Sequence, residues 1–192
     1  STVQVGKLSI QGTVNTMGVT ATAAFAAINR IDDFAYIPEQ NIGHAMTSVM
    51  AQNRGAGETK RIKEAFRAGM YIELVYGGIT GILLLFLANP LMRLFTQDEM
   101  TVITGEQYLH LIAFMYMIPA VTNGVQGYFR GMGDLKITLW SSLINMGVRV
   151  AVCFFLVFGC KMGITALPWA YLAGWLAMML YELPFLWRRF VK

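Results

Sequence analysis

Apolar residues run in long blocks along this chain, and polar residues gather in short breaks between them. A helix needs about 20 residues to cross a hydrocarbon layer roughly 30 Å thick. Five blocks reach that length, at approximately 23–52, 68–89, 108–129, 137–158 and 164–186. A sixth, 1–16, is shorter and reads as the C-terminal part of a span. The breaks carry helix-ending chemistry at Asn89-Pro90, from Gly131 to Asp134 and from Gly159 to Gly163. Strict alternation is missing, and a lone hairpin would leave unpaired edges in lipid, so strands are not expected. The pattern predicts an all-α, polytopic membrane protein, a six-helix bundle with its first helix truncated.

Composition strengthens this reading. Of 192 residues, 56% are hydrophobic and only 14% charged, against roughly 25% charged in ordinary soluble domains. The mean hydropathy is +0.51. So few charges cannot coat so apolar a core, and lipid must supply the remaining solvent. Disorder, a disulfide scaffold and a soluble nucleic-acid binder are excluded. Cys153 and Cys160 lie seven apart in one apolar run. About 10 Å of helical rise separates them, too far to bridge, so both read as buried packing. The chain starts at Ser1 without a basic leader or cleavage site, which suggests a piece of a longer protein.

The net charge of +4 becomes informative once it is located. Arg54, Lys60, Arg61, Lys63, Arg67, Arg130, Lys136, Arg188, Arg189 and Lys192 fall on one side of the expected spans, Arg93 and Lys161 on the other. By the positive-inside rule the 53–67 loop, the 130–136 loop and the C-terminus are cytoplasmic. The balance is a topology signal, and no nucleic-acid partner is expected. Two of these loops echo each other: Arg54-Gly55-Ala56-Gly57-Glu58-Thr59-Lys60 and Arg130-Gly131-Met132-Gly133-Asp134-Leu135-Lys136 share the pattern R-G-x-G-acid-x-K. Glycine suits a left-handed helix cap, and the acid suits the positive start of the next helix. Contact between the two loops is the functional alternative.

Charges at membrane depth are costly and usually face a cavity or one another. In the second span Arg30, Asp33, Ile37, Gln40, His44 and Thr47 recur at helical spacing, with Asp32, Tyr36 and Glu39 as a neighbouring stripe. So polar a face belongs on a water-filled cavity. Asp33 and Glu39 are the candidate ion-binding carboxylates, with Gln40 and Tyr36 beside them. Arg30 is spaced to pair with Asp33. Lys7 and Arg149 lie inside the first and fifth spans. They read either as counter-ions for Asp33 or Glu39 or as ligands of an anionic substrate. Glu73 and Glu182 stand near span ends and read as snorkelling. Pro38 and Pro119, both mid-span, are candidate hinges, because each removes a helical hydrogen bond. Trp140, Trp169 and Trp187 read as interfacial or packing residues, and Trp175 alone is mid-span. With two His, no H-E-x-x-H, no G-x-S-x-G and no metal-spaced Cys/His set, neither an enzyme nor a metal site is expected.

An ordered series of motifs then comes into view. Val14-Asn15-Thr16-Met17-Gly18 leads into a helix with Ala27, Arg30 and Pro38, which runs on to Ala51-Gln52-Asn53-Arg54-Gly55-Ala56-Gly57. Arg130-Gly131-Met132-Gly133-Asp134 precedes a helix carrying Asn145 and Arg149. Over essentially its whole length the chain resembles the C-terminal half of a multidrug and toxic compound extrusion (MATE) transporter. The resemblance implies one lobe of a twelve-helix protein, whose N-terminal six-helix lobe is missing here. It also implies export of organic cations and other drugs in exchange for Na⁺ or H⁺. Some branches place coupling carboxylates in helices seven and ten. Here helix seven offers Lys7 but no acid, and Phe114 to Phe129 contains none, so that ion site is not expected.

The expected activity is that of a secondary antiporter in the cell membrane. It exports amphipathic, cationic xenobiotics by alternating access, with Na⁺ or H⁺ as coupling ion and no other cofactor. The alternatives are a flippase for lipid-linked sugars and a non-transporting membrane assembly subunit. Lys7, Arg30 and Arg149 speak for the flippase.

Overall fold

A computed structural model describes residues 2–191. Its helices are α1 (Thr2–Asn15), α2 (Val19–Gly55), α3 (Thr59–Arg93), α4 (Glu99–Met115), α5 (Met117–Gly131), α6 (Leu135–Phe154) and α7 (Ala166–Val191). A π-helical turn, Phe155–Gly159, continues α6. No strand occurs among the described residues. The helices α4 and α5 meet at a 52° bend and count together as one path, so the seven α-helices follow six paths. By length and apolarity α3 and α6 with its π turn qualify as membrane-crossing helices, and the bent pair makes a third. The long α2 carries Arg30, Asp32, Asp33, Glu39 and His44, which is why hydropathy alone does not single it out.

The bend has a simple origin. Pro119 is the third residue of α5. Its ring excludes the helical position of the Met115 carbonyl, and it has no N–H to offer, so the chain breaks at Tyr116. Pro38, by contrast, sits exposed within a helix that stays continuous from Val19 to Gly55. Asn89-Pro90 is not the expected break either. α3 runs on to Arg93 before the Leu94 and Phe95 amides close it on the Leu91 and Met92 carbonyls. A proline in the last turn forfeits only one interior bond.

Most of the expected 53–67 loop is helical, since α3 starts at Thr59. What remains is a three-residue turn, matched by another at 132–134. The two are superposable in their bonding. Gly57 and Gly133 share φ 73°. The Glu58 amide reaches back to the Asn53 carbonyl and the Asp134 amide to that of Phe129, both at 2.9 Å. This is the left-handed glycine cap that the repeated motif implies. The acids do not cap the following helices through their side chains. Asp134 instead pairs with Arg189 of α7 at 2.9 Å, and Arg54 donates to the Met132 carbonyl, linking the twin turns. The basic residues of α2–α3, α5–α6 and the end of α7 therefore share one end of the bundle.

Most of the core is a single apolar cluster drawn from every α-helix except α5. A smaller one, around Met50, Ile62, Val125, Tyr128 and Phe129, lies toward the basic end. There Phe66, Tyr128 and Phe190 form an aromatic trio with centroids 5.1–5.5 Å apart. At the opposite end Asp98 caps α4, accepting from the Thr101 amide at 2.9 Å and its hydroxyl at 2.5 Å. These bonds hold the Asp98 carboxyl below its ordinary range. A depressed value in the folded state means the cap contributes fully at neutral pH and is lost on acidification through that lowered value. Asp98→Ala is expected to speed amide exchange in the first turn of α4, with the difference from the parent vanishing in acid. Hydrogen exchange followed by mass spectrometry measures both.

Candidate functional site

A cavity of about 380 Å³ opens between α1, α2, the α4–α5 bend, α6 and α7, within the roughly 300–1,000 Å³ typical of small-molecule sites. Of the residues singled out by sequence, Lys7, Asp33, Tyr36, Gln40, Pro119 and Arg149 all line it. Glu39 does not. It is fully buried on the far flank of the same stripe, between α2 and its neighbours α3 and α5. Pro38 is exposed and also lies outside the lining.

Spacing on α2 explains this division. Asp32, Tyr36, Glu39 and Gly43 follow at intervals of four, three and four, so they share a face. That face is turned further inward than the one bearing Arg30, Asp33, Ile37, Gln40 and His44, which are all exposed in this chain. Asp32, rather than Asp33, is the acid set into the wall: it is half-buried and its Oδ1 has no hydrogen-bond partner. The expected Arg30–Asp33 pair is not among the ion pairs of the described residues. A charged pair at an exposed site gains too little to hold two side chains together.

Arg149 is the cation facing Asp32, and its field reaches that carboxylate. No ion pair joins it to Asp33 or Glu39 among the described residues. Its guanidinium lies 4.2 Å from the Tyr171 ring centroid and 5.6 Å from that of Trp175, a cation–π stack. Gly174 allows it: a Cβ there would stand 3.2 Å from the Arg149 Cβ and 2.9 Å from the Asn145 carbonyl. The Arg149 Nε is buried and unpartnered. Asn145 donates to the Met178 sulfur at 3.2 Å. The lining thus combines three cations (Lys7, Arg130 and Arg149), two acids and an aromatic wall of Tyr36, Tyr116, Tyr171 and Trp175. Such a surface can hold a flat amphipathic molecule by stacking and orient it by charge.

Sequence position misplaces two further acids. Glu73 and Glu182 are buried at 0% and 1% exposure, where snorkelling to headgroups is impossible. Gln126 reaches the Glu182 carboxylate and also donates to the Ser141 hydroxyl at 2.6 Å. The signal available in the sequence is four-residue spacing to small residues, with Glu73 preceding Gly77 and Gly81 on α3. Small residues mark a face that packs against another helix. Trp175 is buried as its mid-span place suggested, whereas Trp140, Trp169 and Trp187 are exposed. Cys153 is buried but Cys160 is exposed.

Known proteins share this architecture. Residues 2–155 match the family model described as MatE. The chain is 25% identical over 182 residues to the probable multidrug resistance protein YoeA of Bacillus subtilis, covering 93% of this chain and 39% of that protein. It is 30% identical over 143 residues to the probable multidrug resistance protein YpnP of the same organism, covering 74% and 32%. Among solved structures, the outward-facing conformation of a multidrug resistance MATE family transporter of the MOP superfamily superposes with a TM-score of 0.90 at 18% identity. That match takes in 96% of this chain and 41% of the other. The chain thus spans about a third to two fifths of the proteins it matches, the length of one lobe. With the family match running through α1 to α6, the bent α4–α5 path and the lobe-sized bundle, the chain belongs to the MatE family.

Proposed function

We propose that this chain is the C-terminal lobe of a secondary antiporter that exports amphipathic compounds across the cell membrane by alternating access. The cavity carries the reading. An aromatic wall next to charges of both signs suits a flat compound bearing a charge. Lipid covers the outer faces. Na⁺ or H⁺ is the coupling ion. The clustering of basic residues at the α2–α3 and α5–α6 turns and the end of α7 supports a cytoplasmic C-terminus.

A carboxylate drives such a cycle only if it holds the ion more tightly in one state than in the other. Asp33→Asn and Glu39→Gln, made in the full-length protein, are each expected to lower efflux at unchanged surface expression. The measurement is drug–ion exchange in proteoliposomes under imposed Na⁺ or H⁺ gradients. Wild-type exchange by both variants removes the two acids from the mechanism.

The lining carries charges of both signs. The cationic substrate suggested by family resemblance is best served by Asp32 and Asp33. Lys7, Arg130 and Arg149 favour a second reading, a flippase for anionic lipid-linked sugars. Competition by organic cations against organic phosphates in the same vesicles separates the two. A non-transporting assembly subunit would show no exchange with either.

A further inference from the structure

We propose that Glu39 and Glu73 form a proton-binding pair, enclosed between α2, α3 and α5 and reached from the cavity through Tyr36 and Asn123. The proposal deepens the transport reading and rests on it for its role in the cycle, but not for its chemistry.

Both side chains are completely buried, and none of their four carboxylate oxygens has a hydrogen-bond partner. They flank one turn of α5. On the α2 side, Gly43 lies one turn beyond Glu39, and a Cβ there would stand 3.1 Å from the Asn123 carbonyl oxygen. On the α3 side, a Cβ at Gly124 would stand 3.6 Å from the Glu73 Cγ. Consecutive residues of α5 thus touch the two acid-bearing helices, which brings the carboxylates within electrostatic reach of each other.

A second observation points into the same space. Asn123 is 9% exposed. Its Oδ1 accepts from the Tyr36 hydroxyl at 3.4 Å. Its buried Nδ2 finds no acceptor at full hydrogen-bond distance, although it stands beside the Glu39 carboxylate. Tyr36 and Asn123 both line the cavity, so Glu39 lies one side chain away from it and Glu73 lies behind Glu39.

The groups facing the pair supply no compensating charge. From α2 comes Tyr36. From α3 comes Tyr76, whose hydroxyl is engaged by the Ala35 carbonyl at 2.9 Å. From the α4–α5 break comes Tyr116, which senses Glu39, Tyr36, Tyr76 and Asp32. Arg130 of α5 approaches Gly43 one turn away, and its electrostatic partners are Tyr36 and Glu182. No Lys or Arg forms an ion pair with Glu39 or Glu73 among the described residues. Two buried like charges without a cation are untenable. No group of three or more metal-ligating acidic, Cys or His side chains is found among the described residues; a single proton removes one of the two like charges and asks for no further ligand. It passes from hydronium in the cavity to one carboxylate oxygen, leaving water behind, and no other bond changes.

Infrared difference spectroscopy of the full-length protein in lipid vesicles, in potassium salt at neutral pH, tests the pair directly. A deuterium-sensitive protonated-carboxyl band is expected. It should shift in frequency in Glu39→Gln and in Glu73→Gln, because the acid left behind is still buried and keeps a proton but has lost its partner, and it should vanish in the double variant. Glu39→Asp should keep the band at a shifted frequency, which separates proton loss from misfolding. A band unchanged by either Gln substitution, a band that survives whole in the double variant, or displacement of the proton by sodium would overturn the proposal. A band that behaves as expected while efflux by the variants is untouched supports the proton site and removes it from the transport cycle, whereas the same band in a parent protein that exports nothing sinks the transport reading alone.

Discussion

Gly127→Leu is expected to eliminate folded protein. A Cβ at this position would stand 2.6 Å from the Gly43 carbonyl oxygen and 3.2 Å from the Met46 Cβ, where α2 and α5 cross. Those neighbours are backbone or backbone-proximal and cannot swing aside, so the helices must separate. Overpacking of a tight core costs about 1–3 kcal/mol for modest additions, and a whole leucine exceeds what rotamer changes absorb. Gly131 is held in the same way against the Thr47 carbonyl, 2.7 Å from its would-be Cβ. The measurement is the monodisperse fraction and melting temperature of detergent-solubilised protein by fluorescence-detected size exclusion. Gly127→Ala should fall between parent and Leu. Gly78→Ala is the control, since nothing lies within 4 Å of its Cβ position. It should be neutral or slightly stabilising, through helix propensity worth about 1 kcal/mol.

The second large effect belongs to Arg149. Arg149→Met should depress transport by about tenfold or more, a loss of roughly 1.4 kcal/mol or more of useful interaction. The substitution removes both the stack on Tyr171 and Trp175 and the cation opposite Asp32. Arg149→Lys should be intermediate: it keeps the charge, but an ammonium has no planar face to lay across two rings. Trp175 emission gives a readout independent of transport. It should change in both variants, more in Met than in Lys. An unaltered transport rate in Arg149→Met would place the guanidinium outside the substrate path.

Much of this architecture is legible in a linear string because lipid is an unforgiving solvent. The apolar blocks fall on the helices of the structure, with α4 and α5 read as one, and the twin glycine motifs mark the turns at one end of the bundle. Depth along a span was the weaker guide. Glu73 and Glu182 lie near the expected span ends, where distance from a loop predicts exposure at a headgroup. The structure buries them because α3 and α7 turn those positions toward neighbouring helices, a rotational fact that distance from a loop does not encode. Asp32 and Asp33 show the same limit. Adjacent residues point about 100° apart, and only packing decides which one enters the wall. Arg149 was found, but its partner was not, because aromatic stacking joins residues 22 and 26 positions apart on two helices.

The π turn at the end of α6 has an outcome of its own. Seven residues apart on a regular helix, Cys153 and Cys160 would face the same direction. The wider turn from Phe155 to Gly159, closed by the Cys160 amide on the Phe155 carbonyl at 3.1 Å, rotates them apart, and one thiol is shielded while the other meets its surroundings. This chain therefore carries a built-in address tag: a sulfhydryl reagent that cannot cross lipid reads the sidedness of that end without any engineered label.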